Sequence, residues 1–308
     1  MSIFDKTKYI PMKNLFIVLI LCLSFRTHAA TDGKRSIETE NNDQIIHIQE
    51  VYKTIDSFKL TIDIFYTKQT FERENNTAIV FFHGGGWAFG TPGEFFTTCE
   101  RYAKMGMVTF SVNYRLSIEN GVTPHPDISP IESLMDAKSA IRWVRGNAAK
   151  FHIDTDKIVA AGQSAGGHLA LCTAMIDEYN EKSDDLNISC SPDAILLFSA
   201  AVNAVEAWCD RLLGDRREKI WSISPAHNIS KGLPPMIEFH GIDDEQVPKW
   251  TVQFFQTAME QEGNYFEQHM YEGRKHYLGD GNPKYSLYFD DEILNITDAF
   301  LRKYNLLK

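Results

Sequence analysis

The chain has 308 residues, 44% of them apolar, with 31 basic against 41 acidic side chains and a formal charge of −10. That composition suits a globular core and excludes a disordered chain, and the acidic balance argues against a nucleic-acid partner, whose footprint is a basic patch. The stretch MKNLFIVLILCLSFRTHAA then sets Lys13 before an apolar run from Leu15 to Phe25 and ends in small residues at Ala29 and Ala30. A basic start, a short apolar run and a small-residue exit form a secretory signal peptide over residues 1–29, with Met1 or Met12 as its start. The run is shorter than the roughly 20 apolar residues of a membrane span, so no stable membrane anchor is expected. Leu21 stands before Cys22 where a lipid-attachment site wants a small residue, which favours an ordinary signal. The mature chain is therefore expected to be secreted or periplasmic, with 27 basic and 40 acidic residues once Lys6, Lys8, Lys13, Arg26 and Asp5 are removed. Its cysteines, Cys99, Cys172, Cys190 and Cys209, either form two disulfides in any of three connectivities or stay as thiols. Cys99 and Cys172 lie on apolar helix faces and read as structural.

No repeat or linker divides the rest, so residues 30–44 read as a polar leader and 45–308 as a single domain. IIHIQEVY and FKLTIDIFY alternate as the strands of an opening hairpin. Then come AIVFF, a helix near 93–105, MVTFSVNY, a helix near 131–149, KIVAAG, a helix over 165–177, and AILLFSA. A longer irregular stretch leads to PPMIEFHG, the helix WTVQFFQTAMEQE, YFEQHMY and a closing helix near 286–304. Short apolar strands separated by helices imply an α/β fold with a mostly parallel sheet, an antiparallel N-terminal hairpin and helices on both faces. Ligands bind at the carboxyl ends of such strands.

The unusual residues fall at those ends. FFHGGGWAFG sets three glycines after a strand, and a glycine in an element interior costs about 0.5–1 kcal/mol relative to alanine, so something must approach bare backbone there. VAAGQSAGGH places Gly162, Ser164 and Gly166 as Gly-x-Ser-x-Gly between a strand and a helix, the pattern of a turn that lifts a serine hydroxyl above the sheet. A serine hydroxyl needs a histidine base, and the base needs an acid that fixes its tautomer. HGIDDEQVP offers Asp243 and Asp244, and YEGRKHYLGD offers His276.

With these motifs the chain resembles the α/β-hydrolases of the HGGG-type esterase and lipase group, most closely secreted bacterial acetyl xylan and feruloyl esterases. The likeness runs from Ile79 to His276 through FFHGGGW, SVNYRL, DAKSAIRWVR, DKIVAAGQSAGGHLA and GIDDEQVP. Matched to the Gly-x-x-Asp-x-x-Val-Pro spacing, the acid is Asp244. The resemblance implies a triad of Ser164, Asp244 and His276, and an oxyanion hole from the amides of Gly85, Gly86 and Ala165, with that of Trp87 as a substitute. It implies no cofactor and no metal. His83, His240 and His269 read as structural, and so do Asp136 and Arg142. The segment before the first strand is too short for the helical cap of the lipase-like members, so no large cap is expected.

An uncovered site and export together point to an acylated polysaccharide or oligosaccharide, most simply acetylated xylan, or to a small ester. SIENGVTPHPDIS and NAVEAWCDRLLGDRREKIW are expected to rim the pocket, with Trp87, Trp208 and Trp221 as candidate substrate contacts. Competing readings are a general short-chain carboxylesterase, an arylformamidase-like amide hydrolase, a prolyl peptidase without room for its propeller, and an inactive hydrolase fold used as a binding module.

Overall fold

The computed structural model describes residues 43–308 apart from 57, 120, 206 and 281–287; the expected signal peptide and most of the expected leader lie outside the described residues. Strands β1 (Ile45–Ile55) and β2 (Phe58–Thr67) form the antiparallel hairpin, turning at Asp56, whose φ of 48° is left-handed. β3 (Asn76–Phe82) is buried along its whole length, as a central strand covered on both faces must be. After a turn of 3₁₀ helix opened by Pro92 come α1 (Phe96–Lys104) and β4 (Val108–Val112). α2 (Pro130–Gly146) overlaps the helix expected near 131–149; Ser129 caps it, Pro130 takes the first turn, and Glu132 accepts from the Ser129 amide.

β5 (Ile153–Gln163) runs straight into α3 (Ala165–Met175), and β6 (Ala194–Phe198) follows. The stretch that reads as irregular in the sequence contains a helix, α4 (Ala207–Leu213), which buries Cys209, Leu212 and Leu213. β7 (Met236–Gly241), α5 (Lys249–Gln261), β8 (Phe266–Tyr271) and α6 (Asp291–Lys303) complete the order. The last helix begins at 291 rather than 286, because the Asp290 side chain caps it by accepting from the Ile293 amide.

The eight-stranded sheet has the order β1-β2-β4-β3-β5-β6-β7-β8, with β1, β2 and β4 antiparallel in succession and the remaining pairs parallel. This is the α/β-hydrolase fold. One core cluster packs α2, α3 and α5 on one face of the sheet, and a second packs α1 and α6 on the other. Register decides what meets at the strand ends. Phe82 pairs with Gly162, so the glycine loop after β3 lies beside the serine turn after β5; Gly241 pairs with Tyr271, so the loops carrying Asp244 and His276 leave as neighbours.

A buried polar network fixes α2 to the hairpin. Arg115 grips Asp136 through Nε and Nη2 at 2.8 and 2.7 Å, Lys53 Nζ adds a bond to Asp136 at 2.9 Å, and Arg142 pairs with Asp184. Cys99, Cys172 and Cys190 are free thiols, and Cys209 is buried like Cys99 and Cys172. No helix among the described residues is long and apolar enough to cross a membrane.

Candidate active site

Ser164 sits between β5 and α3 at φ 53°, ψ −119°, a strained conformation for a residue with a side chain. Glycines make it feasible. A Cβ on Gly162 would lie 2.2 Å from the Gly166 carbonyl oxygen, and one on Gly166 would lie 2.0 Å from the Phe82 carbonyl oxygen. Only bare backbone lets the turn close against itself and against β3. The Ser164 amide is anchored to the Phe198 carbonyl, and its carbonyl accepts from His168 and Ala201. Those bonds hold the turn on which the hydroxyl stands.

The glycine loop is held from behind. Gly85 and Gly86 have φ of 104° and 63°, and the Gly85 carbonyl accepts from the amides of Ala88 and Phe89. His83 packs beneath, its Nδ1 2.8 Å from the Gly84 carbonyl, with Tyr114 stacked on its ring and donating to its carbonyl at 2.7 Å. Burial lowers the His83 pKa, so the ring is a neutral brace. The amides of Gly85, Gly86 and Ala165 have no acceptor among the described residues. Gly85 and Gly86 line the cavity that Ser164 opens on, while Ala165 lies buried directly after the serine.

Across the cavity His276 Nδ1 donates to Asp244 Oδ2 at 2.7 Å, and the amides of Gln246 and Val247 donate to Asp244 Oδ1 at 2.8 and 2.9 Å. Burial pushes the Asp244 carboxyl up, but the His276 bond and charge and the two amides outweigh it and hold it below the usual carboxylate value. Asp243 is exposed, and among the described residues only its amide is engaged, with the Arg274 carbonyl at 3.0 Å. Ser164, Asp244 and His276 are each less than a tenth exposed, and Ser164 and His276 line the same cavity of about 690 Å³. With its Nδ1 proton committed to a carboxylate, His276 presents Nε2 as an acceptor, the state a general base needs.

The tryptophans part ways. Trp208, on α4, faces the cavity together with Arg211 and Leu212 of the same helix. Trp87 is fully buried and does not line it: its ring stacks on Trp208 at 4.5 Å, and its Nε1 donates to His168 Nδ1 at 3.2 Å. His168 Nε2 in turn donates to the Ile223 carbonyl, and burial lowers this histidine to about 4, so it is a neutral link. Trp221 is exposed against His227 and is absent from the cavity wall. Of the two expected rim segments, the first contributes Ile118 and the second the face of α4.

Sequence reasoning passed over Gln163. Its Nε2 lies 3.0 Å from His276 Nε2, and its Oε1 stands where any Cβ on Gly84 would be, 2.0 Å away, so this amide joins the glycine loop to the histidine. Its place directly before the serine was the available signal. Tyr277, Glu245 and Arg211 also line the cavity without having been singled out. Among the described residues no three His, Cys, Asp or Glu side chains are grouped to hold a metal ion.

The BD-FAE family profile matches residues 62–259. Solved structures of esterase 2 from Thermogutta terrifontis are 36% identical and cover 85% of this chain and 95% of their own, with TM-scores of 0.75 for the form phosphorylated by paraoxon and 0.76 for the propionate-bound form. A butyrate-bound form of the same esterase matches with a TM-score of 0.75. Carboxylesterase NlhH of Mycobacterium tuberculosis is 28% identical over 182 residues, 53% of this chain and 54% of its own length. A probable isoprenylcysteine alpha-carbonyl methylesterase of Arabidopsis thaliana is 25% identical over 221 residues, 64% of this chain and 44% of its own. The chain thus spans about half the length of the curated relatives it matches.

Proposed function

Because the chain belongs to the BD-FAE family, we propose that it is a serine carboxylesterase acting on short acyl groups. One observation carries the proposal: Ser164, on a strained turn, opens on a cavity that Gly85, Gly86 and His276 also line, with Asp244 bonded behind the histidine. In this reading an ester carbonyl carbon sits against Ser164 Oγ. His276 Nε2 exchanges its bond from Gln163 for one from the serine hydroxyl and takes that proton as Oγ attacks. The new imidazolium is stabilised by Asp244. The oxyanion lies against the amides of Gly85, Gly86 and Ala165, whose orientation is set before substrate arrives; one such donor contributes about 2.7–4 kcal/mol. Collapse of the intermediate breaks the bond to the alcohol, which leaves with the proton from His276. Water then enters by the same base, and the acid departs.

The acyl group is short. The structurally similar esterase is known with propionate and with butyrate bound, and Trp208, Leu212 and Tyr277 line the cavity here. For the alcohol side we favour a sugar hydroxyl of a plant-type polysaccharide such as acetylated xylan. The signal-like N-terminus and the modest cover that α4 provides among the described residues support a large extracellular substrate. Acetate release from acetylated xylan, set against ferulate release from feruloylated arabinoxylan and hydrolysis of p-nitrophenyl acetate, tests this. Turnover of the small ester alone would retain the esterase and reject the polysaccharide. Export is tested by the N-terminus of the protein recovered outside the cytoplasm, expected at Ala30.

A further inference from the structure

Behind Asp244 lies a second acid and histidine that the mechanism above does not use. Glu238 and His240 are successive inward residues of β7, and both are wholly buried. His240 Nδ1 lies 3.0 Å from Glu238 Oε1, and its Nε2 lies 2.9 Å from the Val247 carbonyl oxygen. Glu238 Oε1 also accepts the Ala200 amide at 3.0 Å. A carbonyl oxygen only accepts, and so does a carboxylate. With Glu238 ionised both ring nitrogens donate and the ring is an imidazolium, whereas a protonated Glu238, the form that burial favours by raising its pKa, would donate to Nδ1 and leave the ring neutral. Its Nε2 stands 3.6 Å from Asp244 Oδ2, the oxygen that accepts the hydrogen bond from His276 Nδ1.

We propose that Glu238 and His240 form a buried ion pair behind Asp244 and act as positioning residues, the His240 imidazolium holding Asp244 ionised and setting the lower pH limit of hydrolysis. A positive charge beside Asp244 competes for the carboxylate that would stabilise a second positive charge on His276. His276 thus stays neutral, and able to act as a base, to lower pH. Burial opposes the charge on His240, but the bond and charge of Glu238, the Val247 carbonyl and Asp244 outweigh it and raise its pKa above the usual imidazole value.

Among the described residues, Glu238 and Asp244 are the carboxylates within ion-pair distance of His240. From β6, Leu197 pairs with Glu238, and beyond it come the Ala200 amide and the buried Ser199 hydroxyl. From β8, Gln268 pairs with Glu238 and Met270 with His240. The ionisable residues of that strand, Glu267 and His269, bond to each other at 2.9 Å, and His269 stacks on Phe239, on the opposite face of the sheet. Glu238 Oε2 and Gln268 Nε2, cross-strand neighbours, are both buried without a partner among the described residues. The loop side contributes Asp244 and His276.

The inference rests on the esterase reading of the same site, and two measurements on the full-length protein separate them. In ¹⁵N-histidine NMR at pH 8, His240 is expected to carry hydrogen on both ring nitrogens, and on one only in Glu238→Gln, which keeps the side chain's volume. In kcat/KM profiles against pH, Glu238→Gln and His240→Asn are each expected to move the acid limb upward by about 0.5 pH unit or more, and the double variant no further than the larger single shift. A purely structural pair would lower the melting temperature and leave the limb in place. One ring proton on wild-type His240, or superimposable profiles from an active enzyme, would overturn the ion pair. A wild-type chain that hydrolyses no ester would overturn the esterase reading instead, and the ring protons would still decide whether the ion pair exists.

Discussion

The two walls of the cavity are built by different means. On the side of β3 and β5 the working groups are backbone: glycines at 85, 86, 162 and 166 let amides and a strained serine stand where side chains would collide. On the side of β7 and β8 they are side chains in series, running from Glu238 through His240 and Asp244 to His276 over distances of 3.0, 3.6 and 2.7 Å. A backbone wall is rigid and tolerates almost no substitution at its glycines. A side-chain wall can be tuned one group at a time, and changes there are expected to alter the pH dependence and rate of the reaction more than the fold.

The largest effect sharpens the point at which the walls meet. Ser164→Ala should cost about 10⁴-fold or more in kcat and leave only what the oxyanion hole and binding supply, with the melting temperature near that of the parent. Asp244→Asn should lower kcat by up to about 10⁴-fold by favouring the wrong His276 tautomer. It also has a pH signature. The native Asp244 pKa lies below its unfolded value of about 3.9, so its ionisation stabilises the fold above that pH; the variant's deficit should shrink as pH falls through the depressed native value. Calorimetric melts at stepped pH would show this.

On the backbone wall, Gly86→Ala brings a methyl 3.0 Å from Trp208 Cζ3 at a φ of 63° and should cost about 10²-fold in kcat with KM little changed. A normal kcat per folded molecule with a lowered melting temperature would reduce that glycine to a conformational role. Trp87→Phe removes the donor to the buried His168 Nδ1 and should cost about 1–3 kcal/mol of stability while kcat per folded molecule changes little. Asp243→Asn, at an exposed position, should stay within about twofold of the parent, and an effect as large as that of Asp244→Asn would undo the side-chain wall as drawn.

The contrast also explains what could be read in advance. Glycines write the backbone wall into consecutive letters, so the serine turn and the loop after β3 are visible as short motifs. Alternation likewise exposes the hairpin, and an unbroken apolar run exposes β3. α4 is hidden because seven residues are too few for a periodic signal, and it is held by the burial of Leu212 and Leu213 rather than by propensity. The side-chain wall depends on which strands lie side by side. The order of the loops offers Asp243, Asp244 and His276, and the family resemblance selects Asp244, but His240 in the sequence is only a histidine at a strand end. Its partner two residues earlier becomes meaningful once both are seen on one buried face. Trp87 shows the reverse case, since its place beside the glycines invites a substrate role that packing against Trp208 and His168 does not support.

The central claim is that Ser164 is the nucleophile of a cavity shared by both walls. A fluorophosphonate that labels activated serines, followed by intact-mass and peptide mass spectrometry, tests it most directly. A single adduct on Ser164, absent from Ser164→Ala and slowed in Asp244→Asn, is the expected result. An adduct on another serine, or undiminished ester hydrolysis by a protein that takes no label, would contradict it.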